Sequence, residues 1–238
     1  MNNQPTIFIA KLPNDEAQPW LADAPPLPKG AQPWLKAPIY PPKRQAEILA
    51  CSSEKVRKEK YFAWKLLEFA LREVCGKHLQ ELTFSKSEYG KWHCDGAEFS
   101  LSHSEKAICV AVVDCKNSYS QTDGASSYDS EFAIGVDLQR IKTVRADGLA
   151  TKILTEAELG EYHALDEREK NAFLIRVWTK KESLFKAFGE KGFFTSDPKH
   201  LTGSVWQNTI TIDGEEYALA VATKEVCTPT VRFVELSI

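Results

Sequence analysis

The chain has 238 residues, 43% hydrophobic and 26% charged, an ordinary balance for a globular protein of one large or two small domains. A net charge of −3 argues against a general nucleic-acid binder, and no apolar run approaches the roughly 20 residues of a membrane helix. The opening MNNQPTIFIAKLPNDE lacks a basic region followed by an apolar one, so a signal peptide is not expected and a cytoplasmic location is.

Ile7 to Ala10 reads as a short strand, and Pro13 to Pro42 then carries nearly all the prolines, which excludes regular helix or a central strand. The repeated QPWL (Gln18–Leu21, Gln32–Leu35) suggests an extended arm anchored by Trp20 and Trp34. Ser53 is placed to cap a long helix that ends at Cys75, with Gly76 as its stop. Its apolar stripe is Val56, Ala63, Leu67, Ala70 and Val74, widened by Trp64, Leu66 and Leu71. Lys55, Arg57, Lys58 and Lys60 crowd its first turns, against the dipole preference, which favours a nearby anion. The cysteines at 51, 75, 94, 109, 115 and 227 form no C-x-x-C pair and read as free, mostly buried thiols in a reducing compartment.

Ala107 to Val113 and Phe132 to Ile141 read as strands, separated by the polar KNSYSQTDGASSYDSE, a surface loop and a natural seam between two halves. Thr155 with Glu158 forms a capping box. Asp166 with Glu169 repeats that signature before a long helix that ends near Phe188 and stops at Gly189. Thr209 to Ile212 and Tyr217 to Thr223 flank Asp213-Gly214, a hairpin signal, and Thr230 to Leu236 is a last strand. Each half thus offers a long helix and several antiparallel-type strands, an α+β layout.

Three motifs carry chemistry. In GVDLQ, strand alternation puts Asp137 and Gln139 on one face, and an aspartate in an apolar strand needs a partner or a cation. In RVWTKKESLFKAFG, Trp178, Glu182 and Lys186 share one helix face. Glu182 and Lys186 there also fit a plain surface ion pair. Together Asp137 and Glu182 satisfy the one or two carboxylates of a Mg²⁺ site, and the lysines around them suit polyphosphate chemistry. In FSLSHS, Ser102 and His103 fall where a loop enters a strand, with Lys91 upstream. No G-x-S-x-G is present, so contact with phosphate through hydroxyl and imidazole is favoured over a hydrolase nucleophile.

Phe99–Ser104 (FSLSHS), Ile134–Leu138 (IGVDL) and Trp178–Lys186 (WTKKESLFK), in that order, resemble the 4'-phosphopantetheinyl transferase superfamily, in its Sfp-type (surfactin-synthetase-activating) branch. The last follows the family's W-x-x-K-E-[SA]-x-x-K, and the resemblance spans about Ser53 to Gly192. It implies a pseudo-dimeric α+β fold of two similar subdomains, each with a long helix on an antiparallel sheet. Residues 1–125, with a proline-rich arm over 11–43, would form one, and 126–238 the other, carrying the metal site.

The resemblance further implies a monomer that binds coenzyme A between the subdomains. Mg²⁺ would be held by Asp137 and Glu182 with Gln139 beside them. Lys186 would neutralise phosphate charge, and Lys91, Ser102, His103, Arg57, Lys58 and Lys181 would contact the coenzyme. The implied reaction moves the 4'-phosphopantetheine arm to a serine of an acyl, peptidyl or aryl carrier protein and releases adenosine 3',5'-bisphosphate. Glu182, or a water on the metal, takes the serine proton. Lys180, Lys181 and Lys191 suit attraction of an acidic carrier. Gln139 stands where many relatives carry a second carboxylate, and Trp92 where proline is common. Two other readings use the same residues: a Mg²⁺-dependent phosphohydrolase of coenzyme A or a nucleotide, and a degenerate binder of coenzyme A or a carrier protein.

Overall fold

The computed structural model describes residues 4–13, 40–88, 90–115, 133–144, 146–189 and 203–236. Most of the proline-rich arm, residues 14–39 with its two tryptophans, and the loop at 116–131 lie outside these residues, as does the expected subdomain boundary at 125/126. Among the described residues no helix is long and apolar enough to cross a membrane.

The elements run β1 (Thr6–Lys11), α1 (Pro42–Leu49), α2 (Glu54–Cys75), β2 (Phe84–Lys86), β3 (Trp92–Cys94), β4 (Ala97–Ser104), β5 (Ala107–Asp114) and β6 (Ile134–Arg140). They continue with α3 (Ala146–Ile153), α4 (Glu156–Ala164), α5 (Glu167–Phe188), β7 (Ser204–Ile212), β8 (Glu215–Thr223) and β9 (Thr230–Val234). One sheet has the order β2-β3-β4-β5-β1-β9, the other β6-β8-β7.

Local chemistry accounts for the long helices. The Ser53 hydroxyl accepts from the N–H of Val56, and Gly76 closes α2 in the left-handed region at φ 66°. Thr155 and Glu158 complete the expected reciprocal capping box at α4. Asp166 caps α5 by accepting from the N–H groups of Arg168 and Glu169. The chain leaves α5 through an extended Gly189 at φ −75°, so this stop works without a left-handed glycine. Asp213 and Gly214, both at positive φ, make the tight turn between β7 and β8.

Two expectations need correction. Ser102 and His103 do not mark a loop entering a strand; they lie inside β4, which turns through Glu105 and Lys106 into β5 in the register Ser104 opposite Ala107. Glu105 takes the positive φ of that turn itself, at 55°, so no glycine announces it. Nor is the first sheet wholly antiparallel: β9 leaves the C-terminal half and runs parallel to β1, with Thr6 opposite Thr230.

The layers follow from strand alternation. One face of the six-stranded sheet (Phe8, Ala10, Ile108, Val110, Val112) packs against α2 through Phe62, Trp64, Leu67 and Leu71. The opposite face (Ile7, Ile9, Cys109, Ala111) packs against Ile134, Val136, Leu138, Leu219 and Val221 of the three-stranded sheet. Helix α5 covers the far side of that second sheet, and α3 and α4 pack on α5 through Ile153, Leu154, Tyr162 and Leu174. Burying whole strands on both faces explains why β5 reads as an unbroken apolar run.

All six cysteines are free thiols, with Cys75, Cys94, Cys109 and Cys115 buried, as the sequence suggested. Burial pushes the thiols of Cys109 and Cys115 up to about 12, so neither is a nucleophile at neutral pH.

Candidate functional site

The site is built where the two sheets meet. Three alternate serines of β4 reach across to β6: the hydroxyls of Ser100, Ser102 and Ser104 accept from the N–H groups of Val136, Leu138 and Arg140 at 3.0, 3.2 and 3.1 Å. The period of two in S-x-S-x-S thus does for the seam what backbone carbonyls do inside a sheet. It leaves the side chain of Asp137 facing α5.

Helix α5 comes unusually close to β6 at this level. A Cβ on Gly135 would stand 2.0 Å from the carbonyl oxygen of Ser183 and 2.5 Å from the nitrogen of Ala187. Only a residue without a side chain permits that approach, and it brings Glu182 and Lys186 over Asp137.

Asp137 is only 1% exposed. Its Oδ1 accepts from Lys186 Nζ at 2.7 Å and from Ser102 Oγ at 2.7 Å, and its Oδ2 accepts from Gln139 Nε2 at 3.2 Å. Lys186 also donates to the carbonyl of Val136 at 3.1 Å. Burial by itself would lower the Lys186 ammonium, but the charge and hydrogen bond of Asp137, with Glu182 adding to them, hold it above its ordinary value. Burial pushes the Glu182 carboxyl up to about 7; Lys186 opposes that rise and the Asp137 charge adds to it.

Among the described residues no group of three or more His, Cys, Asp or Glu side chains is arranged to hold a metal. The donor set here is instead two carboxylates and an amide. It matches a hard cation that takes one or two protein oxygens and fills its other positions with phosphate oxygens and water. A carboxyl raised by burial, with a second negative charge beside it, is also one whose charged form a bound divalent cation would favour.

Beside this cluster opens a cleft of about 640 Å³, lined by β3, the start of β4 and the C-terminal end of α5, with Arg44, Lys91, Lys186 and Lys224 as its cations. Burial lowers Lys91 against the pull of Glu98. Arg44 stacks 4.8 Å over the Trp64 ring and bonds Glu47, which also accepts from Lys86 and the Trp92 indole. Nothing in the sequence singles out Arg44, because only the packing of α1 on α2 brings it to the cleft.

The remaining residues predicted to contact the coenzyme are dispersed. His103 projects to the α2 face of β4, opposite to Ser102, and its Nδ1 lies 3.1 Å from Oε2 of Glu59, which is 5% exposed. Burial, with Lys186, Lys60 and Arg44 nearby, holds His103 down to about 4. It is therefore a neutral imidazole at pH 7, with Nδ1 set against Glu59. Arg57 donates to the carbonyl of Cys51 at 2.7 Å, and Lys58 lines a separate cleft beside Glu54, Glu105 and Lys106. Lys181 is 4% exposed, and its ammonium is committed to the carbonyl of Ile153 and to Glu158, at 2.5 and 2.6 Å. Glu158 thereby serves both the α4 cap and this ion pair, and its acidity rises accordingly: burial opposes the shift, but Lys181 and Thr155 hold it below the usual carboxylate range.

The chain is 38% identical over 63 residues to the holo-[acyl-carrier-protein] synthase of Bacillus subtilis (strain 168), which is 24% of this chain and 52% of that protein. It is 40% identical over 63 residues to the enzyme of that name from Lacticaseibacillus casei (strain BL23), covering 24% and 51%. For that from Streptococcus suis (strain 05ZYH33) the figures are 37% over 60 residues, covering 23% and 50%. The chain thus spans about half the length of the curated relatives it matches. Residues 133–224, the stretch that contains Asp137, Glu182 and Lys186, match the model of the 4'-phosphopantetheinyl transferase superfamily.

Proposed function

We propose that the protein transfers the 4'-phosphopantetheine arm of coenzyme A to a serine of an apo carrier protein, with Mg²⁺ as its cofactor. The observation that carries this reading is the Asp137–Lys186–Glu182 cluster, closed by the approach of α5 to Gly135 and opening on a cationic cleft. The similarity of residues 133–224 to the superfamily supports it. The Sfp-type branch, with a pseudo-dimeric monomer acting in the cytoplasm, is the form we favour, because a long helix covers each of two sheets within one chain. The curated relatives, named holo-[acyl-carrier-protein] synthases, are matched over about a quarter of the chain.

In this reading the cleft cations hold the phosphates of coenzyme A, and Lys186 meets the charge that grows on the pyrophosphate as it is attacked. Asp137 and Glu182, with Gln139 alongside, hold Mg²⁺, which supplies charge neutralisation on the same pyrophosphate when bound. The carrier serine oxygen forms a bond to the phosphorus bearing the pantetheine arm. The bridging P–O bond breaks, and adenosine 3',5'-bisphosphate leaves with that electron pair. The serine proton passes to Glu182.

The deciding experiment is intact-mass analysis of an apo carrier protein incubated with this protein, coenzyme A and Mg²⁺. A gain of one phosphopantetheine arm, abolished by chelation, is expected. Consumption of coenzyme A with no mass gain on any carrier would replace the transferase with a hydrolase. Binding without consumption would leave a degenerate binder.

A further inference from the structure

Among the three serines that tie β4 to β6, Ser102 does something its neighbours do not. Its oxygen accepts from the Leu138 N–H at 3.2 Å while its hydroxyl donates to Asp137 Oδ1 at 2.7 Å. Ser100 and Ser104 make the backbone bond to Val136 and Arg140. A hydroxyl has one proton to give. At 4% exposure, with that proton on Asp137, Ser102 has no donor left for a phosphate. The alternation of β4 separates it from His103, which turns to the other face and lies against Glu59.

We propose that Ser102 is a positioning residue, which aims the Asp137 carboxylate at the cation, and that it does not bind the phosphates of the substrate. The inference rests on the transferase reading above. Two donors, Ser102 and Lys186, fix Oδ1, so the plane of the carboxylate is set from both sides of the seam and Oδ2 is turned toward Gln139. The support is rigid because Ser102 is itself bonded to the backbone of the residue after Asp137. Groups that orient a metal-binding carboxylate in this way typically change metal affinity by about 10–100-fold when removed.

The test uses the full chain with Mn²⁺ as a spectroscopic stand-in, its binding followed by electron paramagnetic resonance in the presence of coenzyme A. Calorimetry in parallel gives the ratio of affinities for coenzyme A and 3'-dephospho-coenzyme A. Ser102→Ala should weaken Mn²⁺ binding about 10–100-fold and leave that ratio unchanged. Ser104→Ala, which removes a sister hydroxyl of the same seam, should leave both unchanged. Ser102→Cys, nearly isosteric but a much weaker donor, carries the same expectation if the alanine variant does not fold. Wild-type Mn²⁺ binding by the Ser102 variant, a collapse of the coenzyme ratio, or an equal metal defect in Ser104→Ala would each overturn the proposal. Those results would leave transfer by the wild type standing. A wild-type protein that bound neither Mn²⁺ nor coenzyme A would overturn the transferase reading and this inference together.

Discussion

Asp137 and Lys186 form a pair whose carboxylate is sealed from water while its ammonium is a quarter exposed. Removing one partner of such a pair leaves an uncompensated buried charge. Lys186→Ala should therefore destabilise the fold by about 3 kcal/mol as well as abolish transfer, and urea unfolding would show the first effect without any substrate. Glu182 differs, because it is only partly buried and lies between the attraction of Lys186 and the repulsion of Asp137. Glu182→Ala should keep the fold and reduce transfer by about 10²–10⁴-fold, the range for loss of a general base. Unchanged transfer would remove Glu182 from the mechanism.

The same residue carries a pH signature. Its carboxyl is raised from an ordinary 4.5 to about 7, so the folded, metal-free protein binds an extra proton between those values. Stability from this group is present below pH 4.5 and is lost as pH rises through about 7. His103, lowered from 6.5 to about 4, acts with the opposite sign, and its contribution is lost as pH falls through about 4. Urea midpoints of the wild type and Glu182→Gln, compared across pH 4.5 to 7, isolate the first effect. The wild type should lose stability relative to the variant as pH rises. Parallel curves would show that the carboxyl titrates at its ordinary value.

At the scale of elements, the site depends on how closely α5 lies on β6. Gly135 is the residue that allows it, and it was legible in the sequence only as part of IGVDL. Its neighbours across the contact, the Ser183 carbonyl and the Ala187 nitrogen, are backbone atoms that cannot rotate away. Gly135→Ala must therefore shift the helix, at a cost of about 1–3 kcal/mol. Because Glu182 and Lys186 ride on that helix, transfer should fall out of proportion to the stability lost. A thermal melt and a transfer assay on one preparation would show it, and wild-type transfer would mean that the helix can move without moving the site.

Across the whole molecule, the two sheets are not independent. Val136, Leu138, Leu219 and Val221 are buried against the face of Ile7, Ile9, Cys109 and Ala111, and three β6 N–H groups find their acceptors on β4 serines. The last strand, β9, crosses back to pair with β1. The segment 133–238 alone would expose a complete apolar sheet face and orphan those donors. Expressed by itself, it should associate or aggregate, which size-exclusion chromatography would detect. A stable monomer would show that the C-terminal half folds independently.

Much of this protein is determined by short-range chemistry that one sequence displays. The Ser53 and Thr155 caps, the Gly76 stop, the Asp213-Gly214 turn and the faces of α2 and β5 depend on neighbours within a few residues. So does the common face of Asp137 and Gln139, which strand alternation alone dictates. The short strands β2 and β3 and the helices α1 and α3 carry too weak a local pattern, and they exist through packing on longer elements. Only the tertiary structure decided that Ser102 faces Asp137 while His103 faces Glu59, and that Lys181 lies buried on Glu158 while Arg44 reaches the cleft. The physical reason is range. Alternation assigns two adjacent residues to opposite faces, but what each face meets is fixed by strands and helices tens of residues away.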